Sequence, residues 1–424
     1  MTQETLVLDG RLKGYPLGAA PCAPEQIATL GWNLYQDDLP YPIAVLDEQA
    51  LSHNLQWMQA FAQARDIVIA PHGKTTLSPQ IFRRQLDAGA WGLTFATVWQ
   101  AGVGVRAGAQ RVMIANQVVA DADLDGVVAL LNTNPGLRLW FLVDSAEQLA
   151  RIEDWARRRQ HRTPLDCLLE IGIAGQRTGC RTAEQAMTLA RRIHASPALR
   201  LGGIECYEGG LAHGDAQADQ KAVTAFLDGV REITQDCDRV GLFQDETIIL
   251  TAGGSAVFDV VAPALRASVS RPLLGVLRSG CYIAHDHDFY AGFMRNIQSR
   301  SGLDDGLRPA LTVWALVQSV PEPGLALLSV GKRDVSFDLS LPQPVGLAPH
   351  GALANQPVPT GWSITGLNDH HAYLRFDPSG AVIPAVGDRV ILGISHPCTT
   401  FDKWAWMPLA DARGHVVGAI TTAF

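Results

Sequence analysis

The chain has 424 residues, of which 47% are hydrophobic and 18% are charged, a composition typical of a folded globular protein and not of a disordered one. Its formal net charge of −8 gives no general attraction to nucleic acid or to anionic membranes, so neither is expected as a partner. No window has the roughly 18–20 apolar residues of a membrane helix, and the N-terminal segment lacks the pattern of a secretory signal, so a cytoplasmic location is predicted.

From about residue 41 to residue 282, short apolar runs alternate with stretches of helical periodicity, which predicts repeated β-α units and a parallel sheet. Ser145 with Gln148, and Thr182 with Gln185, form capping-box patterns that predict helix starts. Eight units of this kind predict a closed (β/α)8 barrel. The predicted strands are IAVLD from Ile43, IVIA from Ile67, WGLTFA from Trp91, VMIA from Val112, LWFLVD from Leu139, CLLEIG from Cys167, GGIECY from Gly202 and TIILTAGG from Thr247.

The pattern changes after about residue 285, where β-rich runs are separated by Gly, Pro, Asn and Asp and no helical stripe is evident. This change predicts a barrel over residues 41–282 and an all-β domain over residues 283–424. The segment 342–359, rich in Pro, Gly and Ala, is predicted to be a loop or an insertion within the β domain. The seven cysteines are odd in number, scattered and without a C-x-x-C pair, as in proteins whose thiols are reduced.

Three motifs follow predicted strands, at the end of a barrel where strands present side chains to a shared cavity. PHGKTT places Lys74 there, where a lysine amine can form a Schiff base, although a solvated surface lysine is the alternative. TAGGS offers the amides of Gly253 and Gly254 and the hydroxyl of Ser255 to a phosphate, although a plain turn fits equally well. QRTG contributes Arg177, which donates to a cofactor oxygen or faces solvent.

A fourth motif, HPCTTFDKW, lies in the predicted β domain. In an extended segment His396 and Cys398 point to the same side, and imidazole and thiolate are zinc donors. Two protein ligands leave positions open for water or substrate, so a metal bound here would be suited to catalysis. Simple packing of the two side chains is the alternative.

PHGKTT, EIGIAGQRTG, TAGGS, LRSGCY and HPCTTFDKW occur together and in this order. In this combination the chain resembles the D-serine dehydratase and D-threonine aldolase family, pyridoxal-phosphate enzymes with the alanine racemase fold, from about residue 41 to residue 404. The resemblance implies a pyridoxal 5′-phosphate barrel with a C-terminal β domain that residues 1–40 join. It also implies a homodimer, with the active site where the two domains meet.

The same resemblance implies roles for individual residues. Lys74 would bind the cofactor covalently and, once released, would act as the catalytic base, while Arg177 would approach the cofactor's 3′ oxygen. His396 and Cys398 match the zinc pair of the dehydratase branch, and a thiolate favours zinc over harder metals. The aldolase branch typically has a carboxylate at the position of Cys398. The remaining cofactor-binding positions are His72, Tyr207, Gly253, Gly254, Ser255 and Tyr282.

These observations predict a lyase that dehydrates and deaminates a D-3-hydroxy amino acid with the help of zinc. D-serine is the first candidate substrate, and D-threonine and 3-hydroxyaspartate are the others. Retro-aldol cleavage of D-threonine and metal-independent racemisation are alternative activities. A non-enzymatic pyridoxal-phosphate carrier is a further alternative, against which the β domain with its metal pair argues.

Overall fold

The computed structural model describes residues 7–424, which form two sheets and ten α-helices. The strands are β1 (Ile43–Asp47), β2 (Val68–Ile69), β3 (Leu93–Phe95), β4 (Arg111–Gln117), β5 (Arg138–Val143), β6 (Leu165–Ile171), β7 (Leu199–Cys206), β8 (Ile248–Ala252), β9 (Leu273–Leu277), β10 (Leu311–Glu322), β11 (Leu325–Leu328), β12 (Gln343–Ala348), β13 (Ser363–Leu367), β14 (Ala372–Arg375), β15 (Arg389–Gly393), β16 (Trp406–Ala410) and β17 (Val416–Thr421). The helices are α1 (Glu48–Gln63), α2 (Pro79–Asp87), α3 (Val98–Arg106), α4 (Asp121–Thr133), α5 (Ala146–Arg159), α6 (Ala183–Ala195), α7 (Ala216–Arg239), α8 (Phe258–Ala264), α9 (Phe289–Ser301) and α10 (Cys398–Phe401). Within residues 7–424, no helix is long and apolar enough to cross a membrane.

Strands β2 to β9 form the parallel sheet, in the order β2-β9-β8-β7-β6-β5-β4-β3. Its two ends are joined by backbone hydrogen bonds, because the amide of Trp91 donates to Ile69 at 2.9 Å and that of Thr94 donates to Pro71 at 2.9 Å. The predicted barrel class is therefore confirmed. The predicted helix starts are also present, since the hydroxyls of Ser145 and Thr182 accept from the third residue of their helices.

One strand assignment is wrong. Strand β1, predicted as the first barrel strand, pairs antiparallel with β10 and parallel with β16 in the second sheet. The barrel takes its eighth strand from β9, which the sequence patterns missed. Four of the five β1 residues are buried, and an apolar run buried on both faces has the same pattern in either sheet.

The second sheet has nine strands and contains all the C-terminal strands from β10 to β17. The N-terminal segment packs on it, with the amide of Leu34 donating to Gly414 at 2.9 Å and Trp406 Nε1 donating to the Lys13 carbonyl at 2.9 Å. The region predicted to be all-β also contains the helix α9, and a third of the predicted loop 342–359 is the strand β12. The short apolar stripe of Phe293, Met294 and Ile297 is what marks α9.

Candidate active site

A cavity of about 440 Å³ lies at the carboxyl ends of the barrel strands, where the β domain covers them. Residues that follow β2, β6, β7, β8 and β9 line it from the barrel, and residues 396 and 398 line it from the β domain. This is the end of a parallel barrel at which strand ends converge on a common ligand. The predicted residues that line the cavity are His72, Lys74, Arg177, Tyr207, Gly253, Ser255, His396 and Cys398.

Lys74 is presented to this cavity by a single 3-10 turn over Gly73–Thr75 that follows β2. The turn packs closely on the barrel, since a Cβ at Gly73 would lie 2.4 Å from the ring of Phe95. His72 caps the turn, with its Nδ1 accepting from the amide of Lys74 at 3.4 Å. The pKa of His72 lies well below its ordinary value, chiefly because the ring is buried and also because the cations of Lys74, Arg278 and Arg177 are near. The ring is therefore neutral near pH 7.

The guanidinium of Arg177 lies over the ring of Tyr207, 4.2 Å from its centroid. The two residues come from the ends of β6 and β7, so a contact across neighbouring strands forms one wall of the cavity. A cation held over an aromatic face keeps its charge and its hydrogen-bond donors available. Both side chains can therefore contact an anionic cofactor.

The predicted phosphate turn already has an internal partner. The amides of Gly253 and Gly254 donate to the two carboxylate oxygens of Glu208, at 3.1 and 2.6 Å. Glu208 is fully buried, and burial raises its pKa above the ordinary range. A phosphate and this carboxylate would compete for the same two amides. Sequence patterns did not single out Glu208, because it lies 45 residues from the turn.

A buried ion pair joins two further strand ends. Arg278 Nη2 donates to Glu205 and to the carbonyl of Cys206, the latter at 3.0 Å. Burial raises the pKa of Glu205 to about 7, and the charge of Arg278 opposes that rise. One nitrogen, Arg278 Nη1, and one oxygen, Glu205 Oε2, have no hydrogen-bond partner although both are buried. The pair lines the cavity and was missed, although the motif LRSGCY contains Arg278.

The predicted metal pair, His396 and Cys398, lies beside a carboxylate. Asp338 Oδ2 lies 2.5 Å from Nδ1 of His396, which leaves Nε2 as the nitrogen for another partner. Hydrogen bonds from Cys281, His396 and Thr75 lower the pKa of Cys398 well below its ordinary value, against the effect of burial. The thiolate form is the one that binds metals. Across residues 7–424, no three His, Cys, Asp or Glu side chains already surround a common metal position.

Two predicted cofactor residues are not part of the cavity lining. Tyr282 is buried behind it, and its hydroxyl accepts from Gln85 Nε2 at 3.3 Å. Gly254 has a φ of +73° and a Cβ there would lie 2.4 Å from Leu277, so its close approach to the barrel explains the glycine. The assignment of Tyr282 to cofactor binding stays a prediction, and its hydroxyl already accepts one hydrogen bond within the core.

The residues present fit pyridoxal phosphate. The cofactor is an anion of moderate size, and the cavity has the volume of a small-molecule site together with the cations of Lys74, Arg177 and Arg278. Arg278 Nη1 is a buried donor without a partner, as expected where a ligand acceptor completes the site.

Comparisons with known proteins agree with this geometry. Residues 46–271, more than half of the chain, match the family model "Alanine racemase, N-terminal domain", and residues 310–410 match "Putative serine dehydratase domain". A D-threonine aldolase from Arthrobacter sp. is 27% identical over 373 residues, covering 85% of this chain and 86% of the relative. A D-threo-3-hydroxyaspartate dehydratase from Delftia sp. (strain HT23) is 26% identical over 392 residues, covering 89% and 96%. The resemblance found in the motifs is confirmed.

Solved structures share the fold. The crystal structure of D-threonine aldolase from Filomicrobium marinum has a TM-score of 0.77 at 23% identity and covers 94% of this chain and 98% of its own. A cysteine-to-alanine mutant of D-threo-3-hydroxyaspartate dehydratase in the metal-free form has a TM-score of 0.70 at 23% identity, covering 92% and 99%.

Proposed function

The chain belongs to the family defined by the alanine racemase N-terminal domain, and from this premise we propose that it is a pyridoxal-phosphate-dependent lyase acting on a D-3-hydroxy amino acid. Its proposed reaction removes the β-hydroxyl and the amino group, with D-serine, which would give pyruvate and ammonia, as the first candidate substrate. The observation that carries the proposal is the position of His396 and Cys398, which face the same cavity as Lys74 from the opposite domain.

The chain's own residues account for binding and proton transfer. Lys74 would hold the cofactor through its Nζ, and the free amine of Lys74 would accept the proton from the substrate Cα on the same Nζ. Arg177 and Tyr207 form the wall that orients the bound anion, and His72, neutral near pH 7, supports the turn carrying Lys74. Bound pyridoxal phosphate supplies an electron sink for the charge that develops at Cα.

The metal part of the proposal rests on the chemistry of its donors. His396 and Cys398 would hold a divalent ion, and a soft thiolate favours zinc over manganese or magnesium. An ion at that place supplies a Lewis acid for a β-hydroxyl, which is otherwise a poor leaving group. A structure of the related D-threo-3-hydroxyaspartate dehydratase is described as a metal-free form, which supports a metal in this group of enzymes.

The test is pyruvate formation from D-serine by zinc-loaded protein, by chelator-treated protein and by protein with zinc restored. Pyruvate should disappear on chelation and return with zinc. Lys74→Ala should lose both turnover and the absorbance of lysine-bound cofactor, whereas Lys332→Ala, at an exposed lysine of the β domain, should keep both. Turnover by Lys74→Ala, or pyruvate that is insensitive to chelation, would contradict the proposal.

Aldol cleavage is a second candidate, because the Arthrobacter relative carries that name. It would need a base for the hydroxyl proton instead of the Cα proton, and it would release glycine and an aldehyde. Chromatography of products from D-serine, D-threonine and D-threo-3-hydroxyaspartate separates the two reactions: a keto acid with ammonia indicates dehydration, and glycine with an aldehyde indicates cleavage.

We also propose a homodimer located in the cytoplasm. Light scattering after size-exclusion chromatography tests the first, since a single chain has a mass of 45.7 kDa, and cell fractionation tests the second.

A further inference from the structure

A second thiol lies beside the proposed metal pair. Cys281 follows β9 in the barrel and Cys398 begins α10 in the β domain, yet their sulfur atoms are 3.7 Å apart. Both line the cavity, and the hydroxyl of Thr75, next to Lys74, lies 3.7 Å from the sulfur of Cys281 and 3.5 Å from that of Cys398. Cys281 is 6% exposed and has no role in the function proposed above.

The separation of the two sulfurs suits a shared metal ion. With a Zn–S bond of about 2.3 Å and a tetrahedral angle, two thiolates on one zinc ion are about 3.8 Å apart. A disulfide needs about 2.05 Å, so the observed distance of 3.7 Å corresponds to two separate thiols. His396, two residues before Cys398, lines the same cavity and adds an imidazole to the two sulfurs.

The number of protein ligands is a second, independent argument that Cys281 binds the metal. Catalytic zinc sites have three protein ligands and one open position, whereas His396 and Cys398 alone provide two. The ring of His396 is already oriented by Asp338, as metal-binding histidines are. The three donors do not yet enclose a common point among residues 7–424, so metal binding requires their side chains to reorient.

We propose that Cys281 is the third protein ligand of the metal, which makes a Cys2His site with one position open for the substrate hydroxyl. The inference rests on the metal role in the proposed function. One ligand then comes from the barrel and two come from the β domain, so the ion links the two domains directly beside Lys74. Zinc has no redox chemistry, and both cysteines bind as thiolates after releasing their protons.

The test uses the full-length holoenzyme with cobalt(II) in place of zinc, in a phosphine reductant that keeps the thiols reduced. Sulfur-to-cobalt charge-transfer absorbance reports the number of thiolate ligands. Cys281→Ala should lose about half of this absorbance, because one of two bonds to sulfur is removed, and its zinc dissociation constant should rise about tenfold or more. Cys281→Ser, which preserves the size of the side chain, should show the same spectral loss.

The control is Cys237→Ala, at a buried thiol packed against Met187 outside the cavity, which should leave the spectrum unchanged. Thermal unfolding of the metal-free variants checks that each one folds. The third ligand would be overturned if Cys281→Ala and Cys281→Ser kept the charge-transfer absorbance and the zinc affinity of the wild type while Cys398→Ala lost both. That result would leave the proposed function intact. Wild-type protein that binds no cobalt would overturn both the ligand and the metal part of the function.

Discussion

Asp338 and His396 are 58 residues apart in the chain, yet their carboxylate and imidazole lie 2.5 Å apart at the edge of the cavity. The other carboxylate oxygen of Asp338 accepts from the hydroxyl of Thr399 at 2.7 Å, so the carboxylate is itself fixed in place. A carboxylate on Nδ1 keeps the proton on that nitrogen and leaves Nε2 free to bind a metal.

The first prediction is that Asp338→Asn lowers zinc affinity about 10–100-fold without abolishing binding, because the ring of His396 loses its orienting charge. Competition with a chromophoric chelator measures the change. Asp402→Asn is the matched control. It removes a partly exposed carboxylate of the motif HPCTTFDKW that pairs with Lys403. Equal zinc affinities for Asp338→Asn and the wild type would contradict the orienting role.

The contact between Asp338 and His396 also shows which parts of the site a sequence can predict. Lys74 and the pair His396 and Cys398 lie in short local motifs, and a residue at a strand end is placed by the barrel itself. Asp338 carries no such signal, because its partner is distant in the chain and a lone aspartate between β-rich runs is typical of any turn.

Strand order shows the same limit at the level of the fold. The alternation of apolar runs and helical stretches predicted the barrel, and eight parallel strands are present. The sequence patterns did not place β1 in the second sheet. A strand buried on both faces lacks the alternation of apolar and polar residues that would distinguish a strand of the second sheet from a barrel strand. Pairing of β1 with β10 and β16 depends on contacts more than 250 residues away in sequence.

The second prediction concerns Glu208, which occupies the two amides of the predicted phosphate turn. Glu208→Gln removes a negative charge that competes with phosphate, so the dissociation constant for pyridoxal phosphate should fall severalfold. Fluorescence titration of cofactor-free protein measures it. Glu184→Gln, on the exposed face of α6, should leave it unchanged. Weaker cofactor binding in Glu208→Gln would show instead that the carboxylate holds the turn in its binding shape.

The third prediction concerns the buried pair of Arg278 and Glu205, which are 4% and 1% exposed. Arg278→Met leaves the carboxylate of Glu205 buried without its cation, which should lower the free energy of unfolding by about 3–5 kcal/mol. The double variant Arg278→Met with Glu205→Met should recover most of that loss, because no unpaired charge remains. Urea unfolding of cofactor-free protein measures both variants, and a double variant as unstable as the single one would contradict this explanation.

The fourth prediction is a dependence of stability on pH that arises from His287. Its ring packs against Gly393, its Nδ1 is buried without a partner, and burial lowers its pKa to about 4. As the pH falls, His287 therefore binds a proton in the unfolded chain first, at about pH 6.5. The contribution of His287 to the free energy of unfolding is fully present above that pH and is lost as the pH falls towards 4. His287→Gln should lose about 2–3 kcal/mol less between pH 7 and pH 4 than the wild type does.

Denaturant unfolding at several pH values measures this difference. The adjacent Asp286, whose pKa burial raises to about 6, favours folding at low pH and so acts in the opposite direction. Because Asp286 is present in both proteins, the comparison isolates the contribution of His287. His371→Gln, at an exposed histidine, should follow the wild-type curve. If His287→Gln also follows the wild-type curve, His287 accepts its proton in the folded protein, and the packing against Gly393 does not keep the ring neutral.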